Sequence, residues 1–258
     1  MALAVRWPLM RKSARRNNKA SRPPPVRMND LLSSAEIDAL RLSLEVAARS
    51  VGFSLPLAIL AAWVLTRMRF PGRSLLDAFV HLSLVLPLVA VGYLLLVVFG
   101  INGVIGSWLH DRLGIQLAFT TSGAALATAV MTFPLMVRAI RIALENVDLG
   151  LEAAARTLGA GPWDRFFSIT LPLMLPGILA GAVTAFAAGL GEFGAVITFA
   201  SNIPGVTRTL PLALYTAIQS PSGDAMALRL TVISLLLGLL GLLAAELLAR
   251  RVRRFLGR

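Results

Sequence analysis

Five long apolar stretches constrain this chain more than any other feature of its sequence. They cover about residues 46–66, 75–99, 122–144, 171–190 and 227–249. Each stretch is long enough to cross the roughly 30 Å hydrocarbon core of a bilayer as a helix. A sixth apolar piece, residues 195–200, is too short to cross alone and is followed by polar and turn-forming residues. We interpret this piece as a continuation of the preceding span or a re-entrant segment.

The composition agrees with a membrane location. Hydrophobic residues make up 57% of the chain and charged residues only 15%, whereas soluble domains carry about 25% charged residues. The sequence therefore predicts an all-α integral membrane protein with about five transmembrane helices.

The net charge of +12 is concentrated at the N-terminus, where eight of the 25 Lys and Arg residues lie between Arg6 and Arg27. We expect residues 1–35 to form a basic, disordered tail and not a nucleic-acid interface or a secretory signal. If the N-terminus is periplasmic, these eight positive charges conflict with the retention of positive segments in the cytoplasm. Translation starting at Met28 is one explanation, and removing residues 1–27 lowers the net charge to +4.

The arginines between and after the spans predict the orientation. The loops after spans one and three and the C-terminal tail together hold twelve arginines, namely Arg67, Arg69, Arg73, Arg138, Arg141, Arg156, Arg165, Arg250, Arg251, Arg253, Arg254 and Arg258. The opposite loops hold only Arg112 and Arg208, with Arg229 at a span edge. Because positive loops stay in the cytoplasm, we expect the basic tail at 251–258 to be cytoplasmic and the N-terminus periplasmic.

Residues for catalysis or metal binding are scarce. The chain has no cysteine, and its only lysines, Lys12 and Lys19, lie in the basic tail and outside any phosphate-binding loop. His81 and His110 have no partner at metal-ligand spacing, so we expect interfacial or solvated roles for them. The sequence therefore predicts no catalytic residue, no metal site and no cofactor bound by this chain.

The longest connection on the arginine-rich side, residues 146–168, is the most informative. Asp148 is placed to cap a short helix from Leu149 to Leu158, which Gly159 and Gly161 would end before a second helix leads into the next span. The pattern predicts a helix-turn-helix that projects from the membrane. An amphipathic connector that touches only lipid and its own chain is the alternative.

This segment resembles the cytoplasmic EAA loop of ABC importer permeases. Gly159 is followed at the family spacing by Ile169, Leu171 and Pro172, with alanines upstream, although the acid lies one position early. In that family the loop is the coupling helix that docks on the ATP-binding subunit. The resemblance implies contacts by Glu152, Ala153, Ala154, Ala155, Gly159, Ala160 and Gly161.

A second block, residues 191–219, closely resembles molybdate permeases, and sulfate permeases share its GEFGA portion. The similarity extends over residues 36–250. It implies a type I ABC importer permease (MetI-like) architecture and an ATP-driven importer of molybdate in the cell inner membrane. The implied partners are an ATP-binding subunit that holds ATP and Mg, a periplasmic molybdate-binding protein, a second copy of the permease and membrane lipid.

Three alternatives to this function stay open. The cargo of such an importer is molybdate or a related oxyanion such as tungstate, sulfate or thiosulfate. A secondary anion transporter would move its substrate without an ATPase, but its usual inverted repeats and charged midplane sites are not visible. An intramembrane enzyme would need clustered catalytic groups inside the spans, and the sequence has none.

Two further features lie in and after span four. Small residues recur every four positions, at Gly177, Gly181, Ala185 and Gly189, and predict either tight packing within the chain or a face toward the pore or a second copy. The Gly191, Glu192, Phe193 and Gly194 run predicts a helix break. We expect Glu192 to accept backbone N–H groups there, with gate formation against a second copy as the alternative.

Overall fold

A computed structural model describes residues 32–255, and within that range every regular element is helical. The predicted N-terminal tail, except its last residues, and the end of the C-terminal tail lie outside the described residues. The helices are α1 (Ser34–Arg67), α2 (Arg73–Val85), α3 (Leu88–Phe99), α4 (Val104–Leu113), α5 (Thr121–Glu145), α6 (Leu149–Thr157), α7 (Pro162–Arg165), α8 (Leu171–Leu190), α9 (Gly194–Ala200), α10 (Leu210–Ile218) and α11 (Asp224–Phe255). A π-helical turn, Phe166–Thr170, joins α7 to α8.

Four helical runs are long and apolar enough to cross a membrane: Ser34–Arg67, Thr121–Glu145, Pro162–Leu190 and Asp224–Leu248. The bent pair α2 and α3 makes a fifth if it is counted as one span. The all-α class and the predicted number of about five spans are therefore confirmed.

The second predicted span, residues 75–99, is not one helix. Its two halves meet at an angle of 115°. Leu86 is extended, with φ −72° and ψ 147°, and Pro87 directly precedes α3 as its N-cap. A proline has no N–H to donate and disfavours helical backbone in the residue before it, which accounts for the break. Pro56, Pro134 and Pro176 lie inside helices that continue past them.

Helix α5 forms the centre of the fold, with α1 and α8 packed along it. At the end that carries α6, which we call the α6 end, the core consists of Ala58, Ala62, Leu65, Met136, Val137, Ile140, Leu144, Met174, Ile178 and Ala185. These side chains come from all three helices, so any movement at this end of one helix must repack against the other two.

At the opposite end, which we call the α10 end, the first half of α5 packs against α3 and α9. Gly92 makes this close approach feasible, because a Cβ there would lie 2.7 Å from the Ala195 carbonyl oxygen. The short helix α9 is thereby held between α3 and α5, with Phe199 fully buried.

The outer surface is apolar. Helix α11 exposes a row of large side chains that includes Leu228, Leu235 and Leu247, each about two-thirds exposed. An α-helix forms its backbone hydrogen bonds within its own segment, as a surface in contact with lipid tails requires.

Candidate functional site

The predicted helix-turn-helix in residues 146–168 is confirmed, with α6 one residue shorter than expected. The Asp148 carboxylate accepts a hydrogen bond of 2.7 Å from the Gly150 N–H and so caps α6. Gly159 follows the helix with a φ of +87°, a conformation that favours glycine. Its turn is closed by the Ala160 N–H, which donates to the Ala155 carbonyl.

The surface of this segment is exposed and partly apolar. No residue of α6 is buried, and Leu158 and Trp163 are 88% and 74% exposed. Trp163 also stacks on Phe167, with ring centroids 6.2 Å apart. Among the residues proposed to dock, Ala153, Ala154, Gly159 and Gly161 are exposed, whereas Ala155 and Ala160 are half-buried. An exposed apolar cluster beside basic residues is suited to contact another protein.

Glu152 points instead toward the membrane helices. Its Oε1 lies 2.8 Å from Arg67 Nη2, at the end of α1, and accepts a hydrogen bond of 2.9 Å from the Thr170 hydroxyl in the π-helical turn. The carboxylate thus joins α6 to two helices of the core. The sequence does not indicate Arg67 and Thr170 as partners, since they lie 85 and 18 positions from Glu152 and no local pattern links them.

A second polar cluster joins α2 to α5 at the α6 end. Arg141 Nη1 lies 2.6 Å from Asp77 Oδ1, and His81 Nδ1 lies 2.9 Å from the Asp77 carbonyl oxygen. A cavity of about 410 Å³ borders this cluster and is also lined by Arg138 and Glu145. His81, for which we expected an interfacial or solvated role, thus contacts the backbone of its own helix at Asp77.

The small residues of α8 face α5. A Cβ on Gly177 would overlap Ala143, and one on Gly181 would lie 3.1 Å from the Ala139 Cβ. A Cβ on Gly189 would lie 2.9 Å from a Thr128 methyl group, and Ala185 is fully buried. The stripe therefore lies in an intrachain helix contact, which corresponds to the packing alternative.

The predicted helix break after α8 is present. Helix α8 ends at Leu190, and the Glu192 Oε1 accepts a hydrogen bond of 2.9 Å from the Ala195 N–H at the start of α9. This contact is the backbone-accepting role expected for Glu192. The Phe193 ring lies 5.1 Å from that of Tyr215, so the break also contacts α10. Gly191 and Gly194 flank the turn, and Gly194 lies against Leu88 of α3.

Sequence reasoning also missed a polar network at the α10 end. Arg208 donates to Asn202, and Asn202 donates to Thr216 on α10. The turn-forming Pro204-Gly205 pair marked this stretch only as a loop. No sequence pattern indicates that Arg208, Asn202 and Thr216 bind one another.

Comparison with protein families gives a match over residues 54–254 to the family described as "Binding-protein-dependent transport system inner membrane component". Among similar proteins, "Molybdenum transport system permease protein ModB" of Escherichia coli (strain K12) is 59% identical over 88% of this chain and all of its own length. The protein of that name from Haemophilus influenzae is 54% identical, over 86% of this chain and 97% of its own. "Sulfate transport system permease protein CysT" of Escherichia coli is 40% identical, over 69% of this chain and 65% of its own.

Solved structures with a similar fold include a bacterial alginate ABC transporter in complex with a pentasaccharide-bound periplasmic protein. It has a TM-score of 0.68 and 20% identity and covers 85% of this chain and 80% of its own. The methionine ABC transporter MetNI has a TM-score of 0.62 and 18% identity, and covers 86% and 96% of the two chains. These likenesses establish the fold of a type I ABC importer permease.

Proposed function

This chain belongs to the family of binding-protein-dependent transport system inner membrane components, and we propose that it is the permease subunit of an ATP-driven ABC importer of molybdate. The observation that carries the proposal is the 59% identity to a molybdenum permease over that relative's full length. The chain is a multi-pass inner membrane protein and a non-enzymatic membrane subunit of its transporter. The 40% identity to a sulfate permease supports sulfate as an alternative cargo, and tungstate and thiosulfate stay open as related oxyanions.

We propose that residues 146–168 form the docking site for the ATP-binding subunit. The exposed apolar side chains around Leu158 and Trp163 support this role, as does the ion pair of Glu152 with Arg67, which ties the docking helix to the core. The ATP-binding subunit would hold both ATP and Mg, and the permease itself no cofactor. ATP-driven closure of the partner would then displace α6 and, through Glu152, the ends of α1 and α8.

We further propose that the α6 end faces the cytoplasm. The positively charged loops of this chain lie at that end, as the retention of positive loops in the cytoplasm requires. The N-terminus of α1 would then be periplasmic and the C-terminus cytoplasmic. The α10 end would receive cargo from a periplasmic molybdate-binding protein.

A homodimer is the assembly that suits this geometry. One chain presents one 146–168 segment, so a pair of chains related by two-fold symmetry would engage a pair of ATP-binding subunits. The exposed apolar face of α2, which includes Leu75, Phe79 and Val85, is available for a second copy or for lipid.

Complementation tests the function. The chain is expressed in Escherichia coli that lacks its own molybdenum permease, and the activity of a molybdenum enzyme is measured at limiting molybdate. We expect activity to return only while the host's ATP-binding subunit and binding protein are present. Restoration without the ATP-binding subunit would favour a secondary transporter. Failure despite normal insertion would contradict the molybdate assignment.

A further inference from the structure

Arg208 is held in one orientation by side chains from two parts of the fold. Its Nε donates a hydrogen bond of 2.8 Å to Asn202 Oδ1. The Asn202 Nδ2 in turn donates one of 2.8 Å to the Thr216 hydroxyl, which donates to the Leu212 carbonyl inside α10. The guanidinium is therefore oriented by a relay of hydrogen bonds that ends on a helix.

The partner of Arg208 is an amide and not a carboxylate. Over residues 32–255, Arg67, Arg141 and Arg229 each pair with an acidic side chain, whereas Arg208 has no such pair. An amide oxygen orients the guanidinium through Nε without neutralising its charge. The two Nη groups, which form the planar fork that matches an oxyanion, have no hydrogen-bond partner in the described part of the chain.

The loop that carries Arg208 is built rigidly. The Ile203 carbonyl accepts hydrogen bonds from the backbone N–H groups of Val206, Thr207 and Arg208, at 2.9 to 3.1 Å. The Thr207 hydroxyl accepts from the Ile203 N–H and donates to the Ser201 carbonyl. A residue presented from such a loop keeps its position, which lowers the entropy cost of binding a ligand.

Two strained residues mark the same region. In the described part of the chain, Ser201 and Phe119 are the non-glycine residues with a positive φ, at 65° and 63°. The Phe119 N–H donates to the Phe199 carbonyl near the end of α9, and the Thr121 hydroxyl donates to the Val206 carbonyl. Such conformations persist where the surrounding structure imposes them, and they cluster at binding and switch sites.

The loop also lies at the end where cargo would arrive. It joins α9 to α10 and touches the first residue of α5, so it belongs to the α10 end. We propose that Arg208, positioned by Asn202 and Thr216, is an anion-recognition residue that takes a tetrahedral oxyanion at the entrance of the transport pathway. This assignment rests on the proposed function, which supplies a dianionic cargo.

The geometry favours a small anion over an acidic surface of the binding protein. Arg208 is half-buried, and the hydrogen bond at its Nε keeps it from extending outward. Arg112, at the same end, is exposed and makes no ion pair with any described residue, so its charge is solvated and screened by salt. Arg112 therefore provides a matched control.

The test uses the whole complex of permease, ATP-binding subunit and binding protein in proteoliposomes. Uptake of radiolabelled molybdate and ATP hydrolysis stimulated by the loaded binding protein are measured together. For Arg208→Gln we expect uptake to fall about tenfold to a hundredfold, since a charged hydrogen bond to the cargo is lost. The binding-protein concentration for half-maximal ATPase should not change. Arg208→Lys should retain part of the uptake, and Arg112→Gln should stay within about twofold of wild type.

Asn202→Asp separates recognition from a structural role. The aspartate would keep an oxygen beside Arg208 and add a charge that neutralises it. If Arg208 only holds the loop together, this variant should transport normally. If Arg208 receives the anion, uptake should fall about tenfold while the complex still assembles.

Three further outcomes would decide whether Arg208 binds the anion. Unchanged uptake by Arg208→Gln would overturn the proposal. If this variant instead needed a higher binding-protein concentration for half-maximal ATPase but had normal uptake per docked binding protein, Arg208 would belong to the protein interface, and the proposal would also be overturned. If Arg208→Gln inserts poorly, the uptake rates of Arg208→Lys and Asn202→Asp decide whether Arg208 binds the anion. Absence of molybdate uptake by the wild-type complex, with its ATPase stimulated normally, would refute the proposed function and this proposal with it.

Discussion

The Glu152 carboxylate lies 2.8 Å from the Arg67 guanidinium, although 85 residues separate the two in the chain. Both side chains are about one-fifth exposed, and the Thr170 hydroxyl donates to the same carboxylate oxygen. The ion pair is thus a physical link between the exposed helix α6 and the ends of α1 and α8. A displacement of α6 by another subunit would reach both helices through this one carboxylate.

Breaking this link should destabilise the protein. Arg67→Glu and Glu152→Arg should each lower the free energy of unfolding in detergent by about 1–3 kcal/mol, because a partly buried charge loses its partner. The double variant, with the charges exchanged, should recover part of the loss. Glu45→Gln is the control, since its pair with Arg49 is more exposed and should change stability by less than about 1 kcal/mol. Purely additive effects of the two exchanges would show that the pair does not couple these helices.

Gly159→Leu should uncouple ATP hydrolysis from transport. A side chain at φ +87° is disfavoured by about 1–2 kcal/mol, so the turn after α6 should shift and the docking surface with it. Insertion should be unaffected because the loop lies outside the spans. Gly72→Leu is a matched control, because Gly72 has a φ of +93° with equally open surroundings but lies outside residues 146–168. Uptake and ATPase rates are measured on one complex, and wild-type coupling in Gly159→Leu would contradict the docking assignment.

Chemical labelling of an introduced cysteine can determine on which side of the membrane α6 lies. The chain has no natural cysteine, so Gly150→Cys introduces a single thiol. This thiol should react with impermeant reagents only from the cytoplasmic side and become shielded when the ATP-binding subunit binds. Gln219→Cys, exposed at the α10 end, should show the opposite sidedness. Labelling of the Gly150→Cys variant from outside would invert the proposed topology.

A substitution at Gly92 would test how closely α9 packs on α3. A Cβ there would lie 2.7 Å from both the Ala195 carbonyl oxygen and the Thr198 Cβ. Gly92→Ala should therefore cost about 1–3 kcal/mol of stability through overpacking. Gly52→Ala, in a helix with open space around it, should be neutral or stabilising by up to about 1 kcal/mol. Equal melting temperatures for the two variants would contradict the close approach of α3 and α9.

Much of the fold could be predicted because its signals are local. The apolar windows located the spans, and Asp148 and Gly159 marked the two ends of α6, since capping and left-handed turns depend on neighbouring residues. Pro87 lies at the break between α2 and α3, but the 115° bend depends on how α3 packs against α9 and α5. The partners of Glu152 and Arg208 were not predictable, because they depend on how distant helices cross and rotate.

The proposed importer carries molybdate inward with energy from ATP that a separate subunit hydrolyses. The most direct measurement is molybdate accumulation in proteoliposomes that contain the permease and its ATP-binding subunit, with the binding protein on the α10 side. We predict accumulation that requires ATP on the α6 side and the loaded binding protein, and that stops when the ATP-binding subunit is inactivated. Accumulation that continues with the inactive subunit, or ATPase activity without molybdate uptake, would contradict ATP-driven molybdate import.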